Sequence, residues 1–80
     1  MRRYRFVSEQ FTSNRRIISN CGGITFYNAA SAPVLVNNFP VAAGATLDIQ
    51  ANENELDVTE YDLDFQSAIG IVYVLKKIYL

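Results

Sequence analysis

Apolar and polar residues alternate with a period of two along most of the chain, and this pattern predicts β-strands. Tyr61, Leu63 and Phe65, for example, alternate with two aspartates, and successive side chains of a strand point to opposite faces of a sheet. The apolar runs are short, rich in Val, Ile, Thr, Tyr and Phe, and interrupted by Asn, Gly, Pro and Ser. No window of useful length has the i, i+3, i+4, i+7 spacing of an amphipathic helix. We therefore expect an all-β protein, a small antiparallel β-sandwich or partly open barrel of about six or seven short strands.

Asn, Gly and Pro residues predict where these strands turn. The segment 17–28 is typical of a hairpin whose turn lies at residues 20–23, where two glycines can adopt positive φ. Asn37 and Asn38 predict another turn, since Asn tolerates the left-handed region better than most residues. Pro40 has no N–H, so it belongs on an edge strand or at the start of a strand.

The core is predicted from the apolar phase of each strand. Leu56 and Val58 are out of phase with Tyr61 and Leu63. A bulge or short loop near Thr59 must therefore reset the register if all four side chains point inward. The predicted core comprises Ile24, Phe26, Val34, Val36, Leu47, Ile49, Leu56, Val58, Tyr61, Leu63, Phe65, Val72 and Val74.

Length and composition predict a small core that gains stability from partners. The 80 residues allow one domain, and such a core supplies only a few kcal/mol of net stability, roughly 3–5. A single cysteine, Cys21, excludes an intramolecular disulfide, and without histidine the commonest zinc and copper ligand is missing. We expect no metal or other cofactor. Self-association, or docking on a larger assembly, is the expected source of further stability, and an adequate monomer is the alternative.

The net charge of −1 conceals a strong segregation of charge along the chain. Residues 1–16 carry five arginines and one glutamate, a net +4, and residues 17–47 carry no charge. Residues 48–64 carry seven carboxylates and no base, a net −7, and residues 65–80 carry only two lysines. Such segments can pair within a fold or between neighbouring subunits.

The acidic stretch 53–65 is the main candidate for chemistry. Asp62 and Asp64 share one face of one strand, where nothing separates their pKa values as acid–base catalysis requires. The segment 52–57 lacks the glycine and the spacing of a calcium loop. Cys21 has no histidine to activate it. A solvated strand face and loop is the favoured interpretation, and we expect no enzymatic activity.

The N-terminal segment combines arginines with aromatic residues. Residues 1–16 are expected to form a basic, aromatic arm preceding a single β domain at residues 17–80. The acidic middle would repel a polyanion, so a neighbouring protein rather than nucleic acid is the expected partner. No apolar stretch is long enough to span a membrane, and no signal peptide is evident. The expected assembly interface comprises Arg2, Arg3, Tyr4, Arg5, Phe6 and Phe11.

The stretch 34–65, with its valine-rich run, Asn turn, proline-bearing run, "AAG" and acidic "NE" loop, followed by "KKIYL" at 76–80, resembles small β-sandwich virion proteins of bacteriophages. The resemblance implies a structural subunit that is made in the host cytoplasm and located in the virion. Its partners would be other copies of itself and other virion proteins. Accessory, decoration, ring and fibre-associated roles all fit this resemblance. Two alternatives stay open: a ligand-binding module, most plausibly for cell-surface carbohydrate, and a small monomeric regulator or inhibitor of one enzyme.

Overall fold

The protein folds into eight β-strands, and no helix occurs in residues 3–52 and 54–80, which the computed structural model describes. Six of the strands have only three to six residues, because turn residues interrupt the apolar runs every few positions. In chain order they are β1 (Tyr4–Phe11), β2 (Arg15–Ile18), β3 (Gly23–Asn28), β4 (Val34–Val36), β5 (Phe39–Val41), β6 (Thr46–Gln50), β7 (Glu60–Asp64) and β8 (Val72–Tyr79).

The strands form two antiparallel sheets of four strands each. Sheet A has the order β1-β8-β3-β6, and sheet B has the order β2-β7-β4-β5. The chain is one long hairpin whose strand pairs, β4–β5, β3–β6, β2–β7 and β1–β8, lie alternately in the two sheets. This is the order of an eight-stranded jelly roll. The predicted all-β antiparallel sandwich is confirmed, with eight strands instead of about six or seven.

The tip of the long hairpin lies at Asn37 and Asn38, the predicted turn. Their φ angles of 49° and 66° are both positive, as a two-residue type I′ turn requires. The side chain of Asn37 also fastens the tip to β7. Its Oδ1 accepts a hydrogen bond from the backbone N–H of Asp62 at 2.7 Å, and its Nδ2 donates to the carbonyl of Glu60 at 3.1 Å. The tip is therefore held both by backbone conformation and by β7.

Most of the predicted core is buried between the sheets. Leu47 and Ile49 are partly buried against it, whereas Leu56 and Val58 are 50% and 70% exposed, so their prediction as core was wrong. These two residues lie in a loop that is joined to the sandwich by the bridge between Cys21 and Asp57 and by hydrogen bonds from Ser19 to the carbonyls of Asp57 and Thr59. The side chains of Leu56 and Val58 themselves point away from the core. The buried hydrophobic residues are Ile17, Cys21, Ile24, Phe26, Ala30, Val34, Val36, Val41, Tyr61, Leu63, Phe65, Val72 and Val74.

The predicted hairpin at residues 17–28 does not form. β2 pairs with β7 in sheet B, whereas β3 pairs with β6 and β8 in sheet A. The residues between β2 and β3 cross from one sheet to the other, and Asn20 there has a φ of 41°. The crossing lets Ile17 and Ile24 enter the same core from opposite sheets.

The segment expected as an N-terminal arm contributes strands to both sheets. Tyr4–Phe11 form β1, which pairs with β8 along its whole length. Arg15 and Arg16 begin β2, so the boundary expected after residue 16 falls inside a strand. Arg2 lies outside the described residues.

A buried asparagine fastens the loop after β3. Asn28 is 1% exposed, and its Nδ2 donates to the carbonyls of Ala32 at 3.0 Å and Val41 at 2.9 Å. Its Oδ1 accepts from the N–H of Ala30 at 2.8 Å. Burying an amide costs little only when its hydrogen bonds are made. Asn28 makes three of them, and they join the loop to β5.

We expect Asn28→Ala to lower the free energy of unfolding by about 2–4 kcal/mol, because it leaves buried backbone groups without partners. Urea denaturation monitored by far-UV circular dichroism measures this change. Asn52→Ala, at an exposed position, is the matched control and should change stability by less than about 0.5 kcal/mol. Equal effects of the two substitutions would show that Asn28 does not hold the loop.

Candidate interaction surface

The outer face of sheet A carries most of the protein's tyrosines. Strand alternation and the cross-strand register place Tyr4 and Phe6 of β1, Tyr73, Leu75, Lys77 and Tyr79 of β8, and Tyr27 of β3 on this side. We call this set the aromatic face. Its most exposed members are Tyr4 at 51% and Phe6 at 59%. Tyr61, the remaining tyrosine, is buried in the core.

One end of the aromatic face is an ordered cluster around Lys77. The rings of Tyr4 and Phe6 meet edge to face, with centroids 5.6 Å apart. Lys77 Nζ lies 4.6 Å from the ring centroid of Tyr4 and 5.6 Å from that of Tyr79, within cation–π range. These contacts hold the rings in place while leaving Tyr4 and Phe6 exposed. The result is an apolar surface with a positive charge at its centre.

The other end combines two tyrosines with a polar network. The rings of Tyr27 and Tyr73 stack across the β3–β8 pair, with centroids 6.2 Å apart. Beside them, Asp48 Oδ1 accepts hydrogen bonds from Thr25 Oγ1 at 2.8 Å and from Gln50 Nε2 at 2.7 Å. These bonds lower the pKa of the Asp48 carboxyl. An exposed carboxylate of fixed orientation therefore stands beside the paired rings.

The structure brings only part of the predicted interface together. Tyr4 and Phe6 meet on the aromatic face, and Arg3 and Arg5 are exposed, although Arg5 alternates with these rings along β1 and so points to the other side of sheet A. Phe11 is half-buried, packs against the core and lies under the guanidinium of Arg15, whose Cζ is 5.6 Å from the ring centroid. The role of these residues in assembly stays a prediction.

Sequence reasoning missed the contribution of β3, β6 and β8 to this surface. Tyr27 and Tyr73 are 46 positions apart, and the β3–β8 register places them opposite each other. Alternation within each strand does assign them to the face opposite the core. The sequence could therefore have shown which residues of these two central strands point outward. It could not have shown that the two strands pair and bring Tyr27 and Tyr73 together.

The acidic stretch 53–65 forms the loop before β7 and β7 itself, as predicted, with Glu53 outside the described residues. Asp62 pairs with Arg16 of β2 at 2.9 Å, and Asp64 accepts a hydrogen bond from the N–H of Gln66. Within residues 3–52 and 54–80, no three His, Cys, Asp or Glu residues are grouped closely enough to hold a metal ion. The carboxylates act separately on the surface.

Among the acidic residues that the structure describes, Asp57 is the one tied into the interior. Its carboxylate accepts hydrogen bonds from the Tyr61 hydroxyl at 2.5 Å and from the N–H of Thr59 at 2.8 Å. Partial burial opposes its ionisation, but the bonds from Thr59 and Tyr61 outweigh burial and lower the pKa of Asp57. Burial, together with the bond to Asp57, raises the pKa of Tyr61 to about 12. This pair anchors the loop that otherwise leaves Leu56 and Val58 in solvent.

Cys21 lies beside this anchor and is fully buried. Its Sγ donates to the carbonyl of Gly23 at 3.1 Å, and burial raises the pKa of the Cys21 thiol. A buried thiol with a raised pKa is a poor nucleophile. Cys21 therefore acts as a core residue.

No protein-family model matches the chain, and no curated protein or solved structure is significantly similar to it. The described residues also contain no helix with the length and apolar character needed to cross a membrane.

Burial of Tyr61, together with its hydrogen bond to Asp57, makes the free energy of unfolding depend on alkaline pH. Because the folded-state pKa of Tyr61 is raised from 10.0 to about 12, its contribution is present below pH 10 and is lost as pH rises towards 12. We expect the stability difference between wild type and Tyr61→Phe to shrink by about 1–3 kcal/mol over this range. Urea denaturation at several pH values measures it, and a constant difference would contradict the assignment.

Proposed function

We propose that the protein is a structural, non-enzymatic subunit of a bacteriophage virion, and that it acts by self-assembly or by docking on other virion proteins. The observation that carries the proposal is the aromatic face, with Tyr4 and Phe6 more than half exposed at its end. Exposed apolar groups gathered on one side of a small domain are typical of a protein–protein contact.

The energetics of burial support a role in assembly. Removing a large apolar side chain from water contributes about 1.5–3 kcal/mol. Tyr4, Phe6 and Leu75 are 51%, 59% and 42% exposed, so each retains about half of this contribution, and together they can supply a substantial share of the affinity of a specific contact. Exposed ion pairs contribute only about 0–1 kcal/mol each, so the neighbouring arginines would orient the partner rather than hold it.

The virion context rests on two weaker supports. The stretch 34–65 resembles small virion proteins of bacteriophages, and viral capsid domains are among the proteins built as eight-stranded jelly rolls. A shared strand order is an analogy of fold and not of function. We expect the protein to be synthesised in the host cytoplasm and to reside in the particle.

A second candidate function is carbohydrate binding, and it is favoured by the other end of the aromatic face. Tyr27 and Tyr73 offer apolar surface, and the oriented Asp48 carboxylate beside them accepts hydrogen bonds as sugar hydroxyls require. Ligand sites combine such apolar surface with a few placed polar groups. Jelly-roll domains also include lectins.

We expect the full chain to be oligomeric in solution and the double variant Tyr4→Ser/Phe6→Ser to dissociate at least about tenfold more readily, because two exposed rings leave the contact. Size exclusion coupled to light scattering measures both. Val58→Ser, which removes a 70% exposed apolar side chain outside the aromatic face, is the matched control and should associate like wild type.

Antibody detection of the chain in purified particles, at a constant ratio to their other structural proteins, tests the virion context separately. A chain that is monomeric at high micromolar concentration and absent from particles would contradict the proposed function. Point substitutions are preferable to deleting residues 1–11, because the deletion would remove β1 and uncover β8.

The carbohydrate candidate predicts saturable binding on a glycan array that Tyr73→Ala and Asp48→Asn both abolish. Asp64→Asn, a change of the same kind on sheet B, is the control and should leave binding intact. A chain that binds no glycan on the array, or binds equally well after Asp48→Asn, excludes this use of the face.

A further inference from the structure

β1 is the most open sheet edge among the described residues. The sheet orders place β1, β6, β2 and β5 at the four edges. β1 has eight residues, whereas β6, β2 and β5 have five, four and three. β5 also contains Pro40, which has no N–H to offer a further strand. A long unprotected edge is a template for pairing with another chain.

The backbone of β1 shows which of its groups are free to pair. The N–H of Leu80 donates to the carbonyl of Arg3 at 2.9 Å. Hydrogen-bonded and non-hydrogen-bonded pairs alternate along an antiparallel ladder. In the β1–β8 register, residues 3, 5, 7, 9 and 11 thus bond to β8, and Tyr4, Phe6, Ser8 and Gln10 direct their N–H and C=O groups outward.

We infer that β1 pairs antiparallel with β1 of a second copy of this chain, with a two-fold axis at Val7. The inference rests on the proposed assembly function and names its partner and contact. Val7 would face its own counterpart, and Arg5 would face Glu9 of the other copy. The outward groups of Tyr4, Phe6, Ser8 and Gln10 would then bond to one another across the axis, which makes the two four-stranded sheets one continuous sheet.

Charge complementarity selects this register. Arg5 is exposed, and the Glu9 side chain, 39% exposed, uses Oε1 to bind Lys76 Nζ at 2.9 Å. The second oxygen of the carboxylate can accept from an arginine. Arg5 and Glu9 would occupy a non-hydrogen-bonded pair, in which side chains approach most closely. The symmetry makes this contact twice, and the register uses all of residues 3–11.

The pairing also joins the two aromatic faces. Tyr4 and Phe6 of each copy lie on the outer side of sheet A, opposite Gln10 and Ser8 of the other copy in this register. Interfaces of this kind gain affinity from backbone hydrogen bonds and specificity from the alternating side chains. A two-fold contact is closed, which leaves the enlarged aromatic face available to the rest of the assembly.

A proline at position 8 tests the edge directly. The N–H of Ser8 points away from β8, so Ser8→Pro removes no hydrogen bond of the single chain, but it removes one donor from the edge and places a ring in the path of the second copy. We expect its dimer dissociation constant, measured by light scattering, to rise at least tenfold. Ser8→Ala is the matched control and should stay within about twofold of wild type.

A disulfide test fixes the register independently and also applies if Ser8→Pro does not fold. In a non-hydrogen-bonded pair the two Cα atoms lie about 4.5 Å apart, within the range of a disulfide. Val7→Cys should therefore form a covalent dimer under mild oxidation. Phe6→Cys is the control, because in this register its two copies lie roughly 8–9 Å apart, too far to bridge. The buried Cys21 should give no dimer in the wild-type chain.

The outcomes separate this inference from the proposed function. Two results together would overturn the edge contact in a chain that associates. The first is equal dissociation constants for Ser8→Pro and Ser8→Ala, and the second is the absence of a covalent Val7→Cys dimer. If Tyr4→Ser/Phe6→Ser still weakens that association, assembly through the aromatic face stands without the edge contact. A chain that is monomeric at all concentrations and gives no Val7→Cys dimer overturns self-pairing, whereas the protein's presence in particles would still support a virion role.

Discussion

Antiparallel pairing between the two halves of the chain is the constraint on which the rest of the structure depends. The pairing starts at the Asn37–Asn38 turn, where both φ angles are positive, and continues outward to β1 and β8. Side chains alternate along each strand, so a shift of one residue at the tip would turn core residues of β4 and β5 to solvent. The hydrogen bonds from Asn37 to β7 oppose such a shift, because they tie the tip to a strand of the separate β2–β7 pair.

Winding this hairpin into two sheets creates both the core and the surface. β8 and β3 lie at the centre of sheet A, and one side of each is buried while the other carries tyrosine. A domain of this size has room for only one layer of buried side chains between its sheets. Apolar residues on the outer side of sheet A therefore contact only other side chains of that face, as Tyr27 and Tyr73 do. Tyr4, Phe6 and Tyr73 accordingly stay 40–59% exposed, and this exposure is what the proposed contact would use.

The core could be predicted where an alternating segment pairs with neighbouring strands, as at Tyr61 and Leu63 of β7. Alternation alone failed at Leu56 and Val58, since the loop before β7 has the pattern of a strand but pairs only at Asp57. The surface was predictable at Tyr4 and Phe6, which alternate with arginines within one segment. Its other half depends on the β3–β8 register, a contact between distant residues that local pattern does not contain.

The strand pairing brings the oppositely charged segments of the chain together. Arg16 meets Asp62, and Lys76 meets Glu9, so charges from the basic ends reach carboxylates through the same strand pairs that build the sheets. These pairs contribute little to stability because three of the four side chains are well exposed, but they penalise wrong registers. Lys76 is the exception, since its side chain is only 13% exposed and its Nζ also donates to the carbonyl of Ile18. A cation held between the sheets beside β1 fixes the Glu9 carboxylate at the sheet edge, where an arginine of a second strand could approach it.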